Sequence, residues 1–132
     1  MTISVGQIFT HRLQVTDALI RGFAEISGDH NPLHLDDDFA AKTRFGRRVA
    51  HGMLVGSLVV ATLGQTFPGA IHLSQTFSFK QPVYVDDHLV ATLEVVAWRA
   101  QKRIATVGMT LANAAETIVL QGEAVILLPE VL

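Results

Sequence analysis

The segment Ala50–Thr66 constrains this chain more than any other. It is apolar on nearly every side of a helical wheel, so a helix here has to be buried over most of its surface. Its most apolar part, Met53–Leu63, is 11 residues long, well short of the roughly 20 that span a bilayer. Gly52, Gly56, Ser57 and Gly64 give the helix small sides that other backbone can approach closely. The Gly52-to-Gly56 spacing resembles a membrane dimerisation motif, but the segment is too short for that use. A helix packed deep in a sheet is the expected state.

The rest of the chain supplies that sheet. Ile71, Leu73, Phe77 and Phe79 alternate with polar residues, as do Leu89, Ala91, Leu93, Val95 and Ala97. Ala105, Val107, Met109 and Leu111 repeat the pattern, and Thr117–Leu128 is more continuously apolar. Period-two alternation between turn-forming clusters predicts strands. Upstream, Gln7–Val15 reads as a first strand. Thr16 is a suitable N-cap, Asp17 suits a helix start, and Gly28 suits a helix stop. Between them Leu19, Ile20, Phe23 and Ile26 fall on one predicted face. Asn31-Pro32 interrupts that helix, and Phe39–Thr43 predicts a further helical turn. A strand, a helix, a long loop, a buried helix and then about four hairpin-linked strands predict an α+β fold. No repeat or linker divides the chain, so residues 1–132 read as one domain.

Composition narrows the function classes. The 132 residues carry a formal net charge of −2, with 49% apolar and 17% charged residues. Disorder needs the opposite balance, and a general nucleic-acid binder needs excess positive charge. The chain has no cysteine, which excludes disulfides, thiolate catalysis and Cys-ligated metal centres. Met1–Gly6 lacks the basic and apolar runs of a secretory signal, so a cytoplasmic location is expected.

The chemistry concentrates in Ser27-Gly28-Asp29-His30-Asn31-Pro32-Leu33-His34. A carboxylate and an imidazole sit five residues apart, and Pro32 with the restricted residue before it stiffens the segment. Asp29 and His34 can hold one water between them, accept a proton from it and return one. The alternative use of such residues is a plain turn with a hydrogen-bonded histidine. No metal site is expected: His30 and His34 are separated by Pro32, there is no HExxH pattern, and Asp36-Asp37-Asp38 lacks calcium-loop spacing.

Ser27-Gly28-Asp29-x-Asn31-Pro32-Leu33-His34, with Ala40 downstream, resembles the signature of the (R)-specific enoyl-CoA hydratases, the MaoC-like or hydratase-2 group. Val49-Ala50-His51-Gly52-Met53-Leu54 is similar to that family's His-Gly-Met segment. The likeness continues through Phe77–Val83 and Gly122-Glu123-Ala124, nearly the whole chain. It implies a hot-dog fold, an antiparallel sheet wrapped around a long helix, usually in homodimers. The implied reaction is reversible syn hydration of a trans-2-enoyl-CoA to an (R)-3-hydroxyacyl-CoA, a hydro-lyase activity that needs no cofactor. Asp29 and His34 would hold the water. The Gly52 N–H would face the developing oxyanion, where free helix N–H groups favour negative charge.

Asn31, His51 and Arg48 complete the expected substrate site, Asn31 by orienting the loop. His51 also has a purely structural reading. The basic clusters Arg44, Arg47, Arg48 and Arg99, Lys102, Arg103 suit the phosphates of coenzyme A or acyl carrier protein. Three alternatives remain: a dehydratase of acyl-carrier-protein substrates, a hot-dog thioesterase, and a non-catalytic acyl-thioester binding module. The Asp29-to-His34 motif disfavours the last two.

Overall fold

A helix too apolar to face water fixes the layout. The computed structural model describes residues 1–130. The elements run β1 (Ile8–Gln14), α1 (Asp17–Ser27), α2 (Pro32–Leu35), α3 (Asp37–Ala41), α4 (Gly52–Thr66), β2 (Ile71–Phe79), β3 (His88–Arg99), β4 (Ile104–Asn113) and β5 (Ile118–Leu127). The five strands form one sheet in the order β1-β3-β4-β5-β2, every pair antiparallel. This is the α+β arrangement that the alternating patterns predict. None of the described helices is long and apolar enough to cross a membrane.

The core lies between α4 and one face of the sheet. Leu54, Val55, Val59 and Leu63 of α4 meet Leu93 and Val95 of β3, Val107 and Met109 of β4, and Ile126 of β5 in one buried cluster. Each such side chain contributes about 1.5–3 kcal/mol on burial. Burial of α4 is less complete than its composition predicts. Met53, Ser57, Ala61 and Gly64 form an exposed stripe, because the sheet covers only one side of the helix. Backbone does not fill the small positions either. A Cβ at Gly52 would lie 3.0 Å from the Phe79 ring, and one at Gly56 would lie 2.8 Å from the Phe77 ring. Edge strand β2 thus sets two aromatic rings on the glycines of α4.

The first helix also differs from its predicted face. Thr16 caps it, accepting a hydrogen bond from the Leu19 N–H, and Gly28 ends it in the left-handed conformation at φ 78°. Yet Ile20 and Ala24 form the buried side, while Leu19 is 38% and Ile26 90% exposed. Leu19, Ile20, Phe23 and Ile26 therefore do not bury together. Helix α1 is tied to the rest by charge as well. Arg48, just before α4, is 7% exposed and bonds the Asp17 carboxylate. The two guanidinium partners Arg48 and Arg21 hold the Asp17 carboxyl below the ordinary value of about 3.8.

Two stability predictions follow from these contacts. A Cβ at Gly122 would sit 2.2 Å from the Thr76 carbonyl oxygen on β2, whereas one at Gly64 meets nothing within 4 Å. In urea denaturation Gly122→Ala should cost about 3 kcal/mol or more, and Gly64→Ala should add about 0.5–1 kcal/mol. Asp17→Asn should cost about 1–2 kcal/mol at pH 7, between the values for exposed and buried pairs. Asp17 titrates lower in the folded chain than in the unfolded one. Its contribution is therefore complete above about pH 3.8 and disappears as pH falls through the lowered folded value. A pH series of melts should show wild type and Asp17→Asn converging there.

Candidate active site

Short side chains shape the loop after α1. Ser27 Oγ accepts the Asp29 N–H at 3.1 Å, Asp29 Oδ1 accepts the Asn31 N–H at 3.2 Å, and Asn31 Oδ1 accepts the Leu33 N–H at 3.0 Å. Each bond spans two residues and replaces a backbone turn bond, the local habit of Ser, Asp and Asn. Asn31 is the N-cap of α2 and Pro32 its first residue, a position where proline's missing N–H costs nothing. The interruption at Asn31-Pro32 is therefore a helix restart. Asp36 caps α3 in the same way, accepting the Phe39 N–H at 3.1 Å.

This loop presents Asp29 and His34. Asp29 is exposed and His34 is 8% exposed. His34 Nδ1 lies 2.7 Å from the Val49 carbonyl oxygen. A carbonyl only accepts, so Nδ1 carries the proton and Nε2 keeps its lone pair in the neutral ring. Burial pushes the His34 pKa below the ordinary value of about 6.5. The Val49 bond and the Asp29 charge oppose that shift, and His51 adds to it. His34 is thus a neutral acceptor at pH 7. Arg48 Nε donates to the His34 carbonyl at 2.7 Å. With Asp17 on its other side, the Arg48 guanidinium is engaged by the protein itself.

His51 lies against this pair. Its Nε2 is 3.0 Å from the Asp29 carbonyl oxygen, and its ring centroid is 3.9 Å from that of His34 at a 30° tilt. Phe23 of α1 packs on it at 4.9 Å. One donor atom each from Asp29, His34 and His51 lie within 4.8 Å of one another. That trio is where a cation would bind among the described residues. The fit is poor: lone pairs lie in the ring planes, and two rings lying face to face 3.9 Å apart do not readily converge both nitrogens on one ion. Zinc requires both nitrogens at about 2.0–2.1 Å. No step below runs through a metal.

Helix α4 begins at Gly52 with no side-chain cap, so its first N–H groups are free to meet a ligand. Gly52 also lines a cavity of about 330 Å³ together with Val49, Val55, Phe79, Arg44 and Lys80. Asp29 and His34 do not line that cavity; His34 is joined to it through its bond to Val49, and Asp29 bonds His51, the residue before Gly52. Of the basic residues singled out in the sequence, Arg44 faces this cavity. Arg47 lies over the Tyr84 ring at 3.9 Å, and Arg103 donates to the Pro129 carbonyl at 2.9 Å. Sequence reasoning did not find the Val49 carbonyl or the pairing of Arg48 with Asp17. Neither has a local signal, since one is backbone and the other spans 31 residues.

Comparison with known proteins bears on the family and the fold. The family model for the MaoC like domain matches residues 3–117. An (R)-specific enoyl-CoA hydratase of Aeromonas caviae is 43% identical over 130 residues, covering 97% of each chain. The solved (R)-hydratase from A. caviae, described as involved in PHA biosynthesis, superposes with a TM-score of 0.92 at 42% identity, over 97% of this chain and 98% of that one. A mitochondrial 3-hydroxyacyl-[acyl-carrier-protein] dehydratase of Arabidopsis thaliana is 35% identical over 96% of this chain and 78% of its own. The sheet laid on α4 is accordingly the hot-dog fold. The family match over residues 3–117 and the 43% identity along nearly the whole chain lead to one assignment: this chain belongs to the MaoC-like domain family.

Proposed function

We propose that the protein is an (R)-specific enoyl-CoA hydratase, a hydro-lyase that adds water reversibly to trans-2-enoyl-CoA. The observation that carries this reading is His34, buried and fixed with a bare Nε2, in the same loop as the Asp29 carboxylate. Likeness at 43% identity to a hydratase supports it. Water held by Asp29 and His34 gives up a proton to the pair as its oxygen bonds to C3. The C2=C3 π electrons move toward the thioester carbonyl, and the pair returns a proton to C2. Both events occur on the face that the loop covers, so addition is syn; the R configuration at C3 depends on which face of the enoyl group meets the loop, and the likeness to an (R)-specific hydratase supports it.

The carbonyl oxygen gains charge during addition. In this reading the free N–H of Gly52 receives it, a donor of the kind whose loss costs about 2.7–4 kcal/mol in barrier. Asn31 holds the loop in shape through its cap, and Arg48 steadies the His34 main chain. Arg44 and Lys80, which line the cavity, are the cations placed for the carrier's phosphates. A homodimer is part of the reading. Strand β2 is a sheet edge whose Ile71, Leu73 and Phe79 are more than half exposed, and such edges are normally covered. The relatives named as acyl-carrier-protein dehydratases favour a second reading, the same chemistry on a different carrier.

Crotonyl-CoA hydration, followed as loss of enoyl-thioester absorbance with chiral analysis of the product, tests the proposal. Wild type should give the R product, and Asp29→Asn should lower kcat about 10²–10⁴-fold. No turnover of any enoyl-CoA, with turnover of the acyl-carrier-protein substrate, would replace the first reading with the second. The pH profile offers a separate check. Neutral His34 is the active form and its pKa lies below the ordinary 6.5, so kcat/KM should stay level down to about pH 6.5 and fall only below it. A His34-dependent acid limb centred above that value would contradict the assignment.

A further inference from the structure

His51 is more than lining. Its Nε2 can approach the Asp29 carbonyl only as a donor, so in the neutral ring the proton sits on Nε2 and Nδ1 is bare. That Nδ1 is buried and has no hydrogen-bond partner in a residue only 2% exposed. Buried side-chain nitrogens are usually satisfied, and each exception calls for a reason. A histidine kept only for packing would gain by being an apolar ring of similar size. This one keeps its imidazole, and its hydrogen bond and both of its aromatic contacts run to the Asp29–His34 loop or to the helix that leads into it. Its N–H holds the main chain of Asp29, its face lies on the ring of His34, and Phe23 of α1 packs on it.

We propose, resting on the hydratase reading above, that His51 is the positioning residue of the Asp29/His34 pair. A single rigid ring connects the main chain of one partner to the side chain of the other. It therefore sets the gap in which the water sits. The two imidazoles are held in opposite tautomers by two different carbonyls, Val49 for His34 and Asp29 for His51. This leaves the His34 Nε2 bare and keeps the His51 N–H on the Asp29 main chain. The water's hydrogens then find acceptors in the His34 Nε2 and the Asp29 carboxylate, and its oxygen keeps a lone pair for C3. His51 touches neither the water nor the substrate in this account. It acts through its two neighbours.

The test uses the full chain with His51→Gln and His51→Phe. Glutamine keeps an N–H within reach of the Asp29 carbonyl but has no ring to lie on His34. Phenylalanine keeps the ring and loses the donor. With crotonyl-CoA, each should lower kcat about 10–100-fold, the scale of a misplacement near 1 Å. KM should stay within about twofold and the melting temperature near that of wild type. Unchanged kcat in both variants, with wild type active, would overturn the inference and leave the hydratase reading standing. A joint loss of kcat, KM and melting temperature would also overturn it, by making His51 structural only. Imidazole ¹⁵N spectra of the wild-type protein keep the inference testable if the variants fail to fold or wild type fails to turn over. They should show His34 protonated at Nδ1 and His51 at Nε2, and either ring in the other tautomer would refute the arrangement.

Discussion

Burial of α4 against the sheet is the constraint from which the site follows. The helix cannot remain in water, and the sheet cannot close its inner face without it. Once Leu54, Val55, Val59 and Leu63 are seated in the core, the start of the helix is fixed in space. The residues just before it are then fixed too. Val49 bridges to Tyr84, and the Ala50 N–H donates to the Val83 carbonyl at 2.7 Å. These pairings aim the Val49 carbonyl at His34 and the His51 ring at the loop. The chemistry is thus held from the rigid side of the fold, while the loop contributes only short local bonds.

The division of labour is plain at His34. Sequence places it after Asn31-Pro32, and α2 turns it inward. What fits it to the proposed role of base is supplied elsewhere: the Val49 carbonyl selects its tautomer and burial favours its neutral form. Arg48 takes the His34 carbonyl and the Asp17 carboxylate together, so the loop, α1 and the approach to α4 share one cation. A buried guanidinium is costly unless its donors are matched, and here the matching also ties down the loop that carries His34.

Much of this was legible in the sequence, for local reasons. Thr16 and Gly28 bound α1 because capping and left-handed backbone depend on a few neighbouring atoms. Strands β3 and β4 follow alternation, which reports one buried face directly, whereas the alternating Ile71, Leu73 and Phe79 of edge strand β2 stay more than half exposed. The juxtaposition of Asp29 and His34 followed from the stiff loop between them and from the family resemblance. The misses are tertiary. Ile26 looks like core by spacing yet is 90% exposed, because α1 meets the rest of the fold along Ile20 and Ala24. Arg48 sits in a basic run that reads as a site for the carrier's phosphates, yet it is buried and bonded to Asp17, 31 residues away. Glycines 52 and 56 announce close approach, but their spacing does not say that the rings of Phe79 and Phe77 make it.

The central claim is that Asp29 and His34 act from one side of a substrate lying beside the start of α4. Hydration of crotonyl-CoA in deuterium oxide tests this directly, with the relative configuration at C2 and C3 read from proton coupling in the isolated product. The account predicts an R centre at C3 and deuterium at C2 delivered to the same face as the oxygen. Deuterium on the opposite face, or an S centre at C3, would contradict it.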